Sequence, residues 1–259
     1  MTAKDFEKIE KLYHYTTFES AWHILTNQTL LFGALPDMND IYEQHKQIGF
    51  NYNSNLELNN LFYKELGKYK QISFTIDDKR KGFDIPAMWG HYAAKGNGVC
   101  LVFDKNKILE RISDNLYFHG RITYNKDSNN VIVVNDVHNK KGIRPFLDKN
   151  KLDIFMSKTE DWSYEQEYRI VTNDRQAKSL DIQGCVICAL YRARTNEESD
   201  VKQAILDILK CKSYRYSNFY GSISLQNDDE QIYPFCRFAT REEWLRDMKC
   251  QKCTHAMLE

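Results

Sequence analysis

The chain has 259 residues, 42% apolar and 28% charged, with 14 Phe, 16 Tyr and 4 Trp, enough apolar material for a full core and incompatible with a disordered chain. Its 36 Lys and Arg balance 36 Asp and Glu, so the net charge is zero and the basic footprint of many nucleic-acid binders is missing overall; local basic grooves stay open. The most apolar runs, such as Cys185–Leu190 and Val131–Val134, fall far short of the roughly 20 residues that span a bilayer, and the polar start Met-Thr-Ala-Lys-Asp-Phe-Glu-Lys lacks a secretory apolar core, so a cytoplasmic protein without a membrane partner is expected.

Leu12-Tyr-His-Tyr-Thr16 is aromatic and β-branched and reads as a short strand. Thr17 can then cap a helix over 18–26, because Phe18, Ala21, Trp22, Ile24 and Leu25 recur at helical spacing before Asn27. Leu30–Leu35 reads as a second strand, Pro36–Asp40 as a turn, and about 41–68 as a polar helical stretch. Gln71–Ile76 alternates as a half-buried strand, Asp77–Gly82 is a charged loop, and Pro86–Ala93 is helical with Pro near its start, broken by Gly96-Asn97-Gly98. Strands follow at Val99–Phe103, 117–124 and 131–134, then a Lys-rich stretch from Lys140 to Lys151. Asp161–Thr172 turns from polar to strand-like; Cys185–Tyr191 is a buried strand and Ser199–Leu209 an amphipathic helix. Gln231–Phe235 alternates again, and Thr240–Lys249 is helical. Many short strands without regular βαβ alternation give an α+β fold with mixed or antiparallel sheets and peripheral helices.

Three polar constellations stand out on these strands: His14 with Thr16, Ser73 with Thr75 around Phe74, and Glu165 with Glu167 around Gln166. Alternation puts the two members of each pair on one strand face. If the three faces meet, one cleft holds an imidazole, several hydroxyls and two carboxylates, whose mutual repulsion would drive their pKa values apart.

The motifs Leu-Tyr-His-Tyr-Thr, Pro-Asp-Met-Asn-Asp-Ile-Tyr-Glu, Ile-Ser-Phe-Thr, Met-Trp-Gly-His-Tyr-Ala with Gly-Val-Cys-Leu-Val-Phe-Asp, and Trp-Ser-Tyr-Glu-Gln-Glu-Tyr-Arg-Ile, in this order over about residues 11–240, resemble the bacterial domain-of-unknown-function family numbered 2971. That family name implies no activity; a single domain over 1–259 is expected, with the family-like core at about 11–240 and a C-terminal helix and tail at 241–259.

More distantly, a His-bearing first strand, a Ser/Thr middle strand and a late Glu-x-Glu resemble the layout of the ADP-ribosyltransferase superfamily. The resemblance implies an ADP-ribosyltransferase-like core with NAD as co-substrate. His14, Tyr15 and Thr16 would hold NAD, while Ser73, Phe74 and Thr75 would line the nicotinamide pocket and Tyr92 or Trp89 would stack on the ring. Glu167 would be the catalytic carboxylate, and Glu165 would orient or deprotonate the acceptor. Arg169 either pairs with Glu167 or binds an NAD phosphate. A macromolecular acceptor is expected, with RNA or DNA ahead of protein, in the setting of a bacterial toxin or phage-defence effector partnered by an antitoxin or immunity protein; the zero net charge leaves both acceptor classes open. Lys140-Lys141, Lys149–Lys151, Arg192 and Arg194 are available for phosphates.

Other residues read two ways. Asn39, Asp40 and Glu43 form either a polar cluster over the same cleft or a turn with a helix cap. The odd cysteine count, seven, reads as free thiols; Cys185-x-x-Cys188 belongs to a core strand, while Cys250-x-x-Cys253 with His255 has zinc-like spacing to which no metal is assigned. Two rival functions fit the same residues: a metal-dependent nuclease or other hydrolase using the His and Glu as acid and base, and a non-catalytic nucleotide-binding module.

Overall fold

The computed structural model describes residues 6, 8–34, 48–50, 56–112, 116–125, 132–134, 137, 139–219, 222–226 and 231–235; for 48–50, 132–133, 219, 222–223 and 231–235 it describes the backbone alone. In chain order the strands are β1 (Lys11–Thr16), β2 (Thr29–Leu31), β3 (Gly33–Ala34), β4 (Ile48–Phe50), β5 (Lys70–Thr75), β6 (Val99–Asp104), β7 (Tyr117–Arg121) and β8 (Thr123–Asn125). They continue as β9 (Ile132–Val134), β10 (Ser157–Thr159), β11 (Glu167–Thr172), β12 (Ser179–Asp181), β13 (Val186–Tyr191), β14 (Ser213–Phe219), β15 (Ser222–Gln226) and β16 (Gln231–Phe235). Helices occupy 18–27, 56–66, 86–91, 105–109, 140–149, 151–155 and 196–208.

Ten strands form one sheet in the order β16-β15-β14-β13-β6-β1-β5-β11-β7, with β3 also paired to β5. The pairing is antiparallel apart from β13 and β14, which run parallel and are joined through the 196–208 helix, so the sheet is mixed. Three two-stranded pairs, β10 with β8, β12 with β2 and β4 with β9, lie outside it. No described helix is long and apolar enough to cross a membrane.

The central strand β6, Val-Cys-Leu-Val-Phe-Asp, is buried over Val99–Phe103 because both sheet faces are covered. One face carries Leu12, Phe74, Leu101, Phe103 and Ile170 under the 18–27 helix, where Ala21 and Leu25 are buried. The opposite face carries Tyr13, Tyr15, Cys100, Val102 and Leu190, packed with Met88 and Trp89 of the 86–91 helix. A third cluster, around Phe62, Ile143, Leu147 and Phe155, packs against Val171 at the far end of the sheet. Gly98 lets the 93–98 turn close on β1, since a Cβ there would lie 2.2 Å from the Thr16 carbonyl oxygen.

Several sequence expectations are corrected here. Leu30–Leu35 is two strands in different sheets, because β2 pairs with β12 while β3 pairs with β5. Within the stretch read as helical, Leu56–Leu66 is a helix but Ile48–Phe50 is a strand paired parallel to Ile132–Val134. Tertiary pairing overrides the weak local propensity there. Pro36–Asp40, Glu43 and Thr240–Lys249 lie outside the described residues.

The sheet has a seam. β1 pairs with β6 over six residues and β5 with β11 over six, but β1 and β5 meet at the single pair Tyr13–Thr75. Further along that edge of β5, Gln71 and Lys70 are taken by Gly33 and Ala34 of β3. Between these two contacts no described strand pairs with Ile72–Phe74 on this edge, and a window opens in the sheet.

Candidate active site

That window is a cavity of about 260 Å³, walled by Tyr13, His14 and Tyr15 of β1, Gln71–Thr75 of β5, Leu31, Gly33, Met88 and Tyr92, with Lys158, Glu165 and Glu167 at its floor. Aromatic and apolar walls with a few converging polar groups are the usual make-up of a small-molecule site.

The floor is built by a local device in the backbone. A 3-10 turn over Glu160–Glu165 ends at Gln166, which adopts the left-handed conformation (φ 47°, ψ 49°) before β11 begins at Glu167. Such a conformation is costly for a residue with a Cβ and persists only where its surroundings fix it. Here the Gln166 side chain supplies the fixing: Nε2 donates to the carbonyls of Ile76 (2.7 Å) and Arg80 (2.8 Å), and Oε1 accepts from the Arg80 N–H (2.8 Å). The Gln166 carbonyl also accepts from the Ile76 N–H (3.0 Å). The two glutamates therefore do not share a face by strand alternation, as their spacing predicts. They converge because the chain turns between them.

Lys158 from β10 is where they converge, its Nζ lying 2.7 Å from Glu165 Oε2 and 2.9 Å from Glu167 Oε2. Arg169 grips Glu167 in a fork, Nε to Oε1 at 2.7 Å and Nη2 to Oε2 at 2.8 Å, and its Nη1 donates to the Phe155 carbonyl (2.6 Å). Tyr92 donates its hydroxyl proton to Glu165 Oε1 at 2.5 Å, and the Glu167 N–H donates to Tyr124 Oη at 2.9 Å. All four charged groups are buried, two cations against two carboxylates.

The two carboxyls differ in character. Burial raises the pKa of Glu165, with Glu167 adding to the rise and Lys158 opposing it, so the group sits above the ordinary glutamate value. For Glu167 burial also raises, but Arg169 and Lys158, with a hydrogen bond from Ser73, outweigh it and hold the carboxyl well below the usual range. Glu167 is held toward its anionic form, and Glu165 is shifted the other way. Two carboxyls whose surroundings push their pKa values apart are the mark of an acid/base pair.

Of the residues singled out in the sequence, the cavity gathers His14, Tyr15, Ser73, Phe74, Thr75, Tyr92, Glu165 and Glu167. Thr75 is 1% exposed and its Oγ1 has no hydrogen-bond partner among the described residues. Thr75, Tyr13 and Glu167 are direct cross-strand neighbours and share a sheet face. His14 is on the other face, edge-on to Phe74, and reaches the cavity only because β1 and β5 part beside it. Its Nδ1 lies 3.3 Å from the Ser73 carbonyl, which can only accept, so this nitrogen carries the proton; burial lowers the pKa of the ring.

Three residues stand elsewhere. Thr16 is buried at the end of β1 against Val99 and does not line the cavity. Trp89 is in the core, stacked on Tyr216 at 5.4 Å and donating its indole N–H to the Phe83 carbonyl (2.8 Å), so its ring is unavailable for stacking on a ligand. Arg169 is fully buried on Glu167 and Phe155, which settles its two readings for the pairing and against an NAD phosphate. Asn39, Asp40, Cys250, Cys253 and His255 lie outside the described residues. Cys185 and Cys188 are buried in clusters on opposite faces of the sheet. Among the described residues no three His, Cys, Asp or Glu side chains are grouped to hold a metal ion.

Sequence reasoning missed Lys158, Gln166 and Tyr13. Tyr13 stands beside the more conspicuous His14, and Gln166 reads as a spacer between the glutamates. Lys158 carries one faint signal: it ends the run Ile154-Phe155-Met156-Ser157, where a lysine has to be paired if the run is buried.

Residues 88–170 match the family described as "Protein of unknown function (DUF2971)". This span is shorter than the 11–240 over which the motifs run; it includes Tyr92, Lys158, Glu165, Glu167 and Arg169 but neither β1 nor β5. None of the curated proteins matches the chain.

Proposed function

We propose that the protein is an ADP-ribosyltransferase that transfers ADP-ribose from NAD to a macromolecular acceptor, with an ADP-ribosyltransferase-like core built around the β1/β5 window. The observation that carries this reading is the convergence of Glu165 and Glu167 on Lys158 at the floor of a cavity with aromatic and hydroxyl walls. A pair of carboxylates is the common apparatus for cleaving a glycosidic bond.

In this reading the bond between ribose C1′ and the nicotinamide nitrogen breaks, and nicotinamide leaves with the electron pair. The ribose acquires oxocarbenium character, which the fixed Glu167 carboxylate stabilises by accepting a ribose hydroxyl. The acceptor's nucleophile then bonds to C1′ and passes its proton to Glu165. Tyr92, Phe74 and Tyr13 bound the ring, and Thr75 offers a hydroxyl to it. RNA or DNA stands ahead of protein as acceptor, and the setting is that of a cytoplasmic bacterial toxin or phage-defence effector controlled by an antitoxin or immunity protein.

The test is release of free nicotinamide from NAD by the purified protein and by Glu167→Gln, with RNA, DNA or cell lysate as acceptor. Release by the wild type that disappears in the variant supports the reading. A folded wild-type protein that releases none under any of these conditions overturns it, and points to the hydrolase or the nucleotide-binding module.

A further inference from the structure

Lys158 comes from β10, a three-residue strand paired to β8 outside the large sheet, yet its ammonium lies between the two carboxylates. Glu167 already has the Arg169 fork. Glu165 has the Tyr92 hydroxyl on one oxygen and Lys158 on the other. Around the pair also stand Ser73, hydrogen-bonded to Glu167, the Tyr164 ring beside Glu165, Tyr124 from β8 on the Glu167 N–H, and the Trp162 ring, 5.3 Å from the Lys158 ammonium.

Resting on the transfer reading for its role in turnover, we propose that Lys158 is a positioning residue that keeps Glu165 ionised and turned toward the cavity, making Glu165 the base for the acceptor. Without a cation on its Oε2, Glu165 would be a buried carboxyl beside the Glu167 carboxylate, and such a group holds its proton. The Tyr92 hydroxyl orients one oxygen but brings no charge. Lys158 therefore decides at which pH the base becomes available, while Arg169 keeps Glu167 in place independently.

The test compares wild type, Lys158→Met and Lys158→Arg in nicotinamide release with acceptor from pH 5 to 9. In Lys158→Met the acid limb moves to higher pH and kcat at pH 6 falls on the order of a hundredfold, the usual worth of a general base, while KM for NAD changes little; Lys158→Arg restores the limb toward its wild-type position. An unmoved limb, or a loss carried by KM alone, overturns the proposal. Carbon-13 NMR titration of the Glu165 carboxyl, assigned by its absence in Glu165→Gln, separates this failure from that of the transfer reading. A midpoint raised in Lys158→Met upholds the Lys158 assignment even if no nicotinamide is released, and an unchanged midpoint overturns it. Should Lys158→Met not fold, nitrogen-15 NMR of the wild-type Lys158 ammonium decides: its signal titrates in step with Glu165 and loses that step in Glu165→Gln, or the proposal fails.

Discussion

Arg169 holds Glu167, two residues before it on the same face of β11, through both oxygens of one carboxylate, at 2.7 and 2.8 Å, and both side chains are buried. Removing Arg169 leaves Glu167 only Lys158, which it shares with Glu165, and breaking a buried ion pair costs about 3–5 kcal/mol. Arg169→Met is therefore expected to lose stability on that scale. Arg169→Lys should recover only part of it, because an ammonium cannot reproduce the planar fork. Urea unfolding of the three proteins checks this, and a loss below about 1 kcal/mol for Arg169→Met would show the pair to be solvated.

Gln166 is predicted to hold the floor of the site through its side chain and not only its backbone. Gln166→Ala loses three hydrogen bonds to the 76–80 loop and should cost about 2–3 kcal/mol at roughly 1 kcal/mol each. Gln166→Gly loses the same bonds but relieves the left-handed backbone, so it should be the more stable variant by about 0.5–1 kcal/mol. Thermal unfolding ranks the two. Alanine equal to or above glycine would mean that the turn is not held in this conformation.

Thr75 should behave in the opposite way. Its buried Oγ1 lacks a partner among the described residues, and burying a hydroxyl without a hydrogen bond costs about 1–3 kcal/mol. Thr75→Val, nearly the same shape, is thus expected to leave the ligand-free protein as stable or about 1 kcal/mol more stable. It should weaken NAD binding severalfold. A ligand-free protein clearly destabilised by this change would mean that the hydroxyl has a structural partner.

Stability should depend on pH in two opposed ways. Native Glu165 takes up its proton above the ordinary value of 4.5, so its protonation favours the folded state, and stability rises as pH falls from its raised native value toward 4.5. Native Glu167 resists protonation, so below 4.5 the unfolded chain takes up that proton first and stability falls with pH. Burial also lowers the pKa of His14, which costs stability as pH falls below 6.5. The Glu165 contribution is therefore read as the difference between wild type and Glu165→Gln: the wild-type urea midpoint should gain on the variant's as pH falls from 8 toward 4.5. A wild-type midpoint that gains nothing on the variant's would mean that Glu165 is not raised.

Much of the fold is legible in the residues. Alternating apolar positions mark β1, β5 and β11, the unbroken apolar run of β6 marks a strand covered on both faces, and Thr17 caps the 18–27 helix as its side chain allows. The same alternation is what misleads about the site. It places Glu165 with Glu167 on one strand face and Thr16 beside His14 in the cleft, whereas a left-handed Gln166 brings the glutamates together and His14, not Thr16, reaches the cavity where β1 and β5 part.

The sequence alone determined the strands β1, β5, β6, β11 and β13 and the polar residues they carry, because side-chain period is a local consequence of residue order. The tertiary structure alone decided that β1 and β5 touch at one pair and leave a window, and that Lys158, from a strand outside the sheet, comes to lie between two carboxylates. Those facts depend on which edge pairs with which, a choice made by non-local burial over the whole chain, and the charge of a buried carboxyl depends on who its neighbours then are.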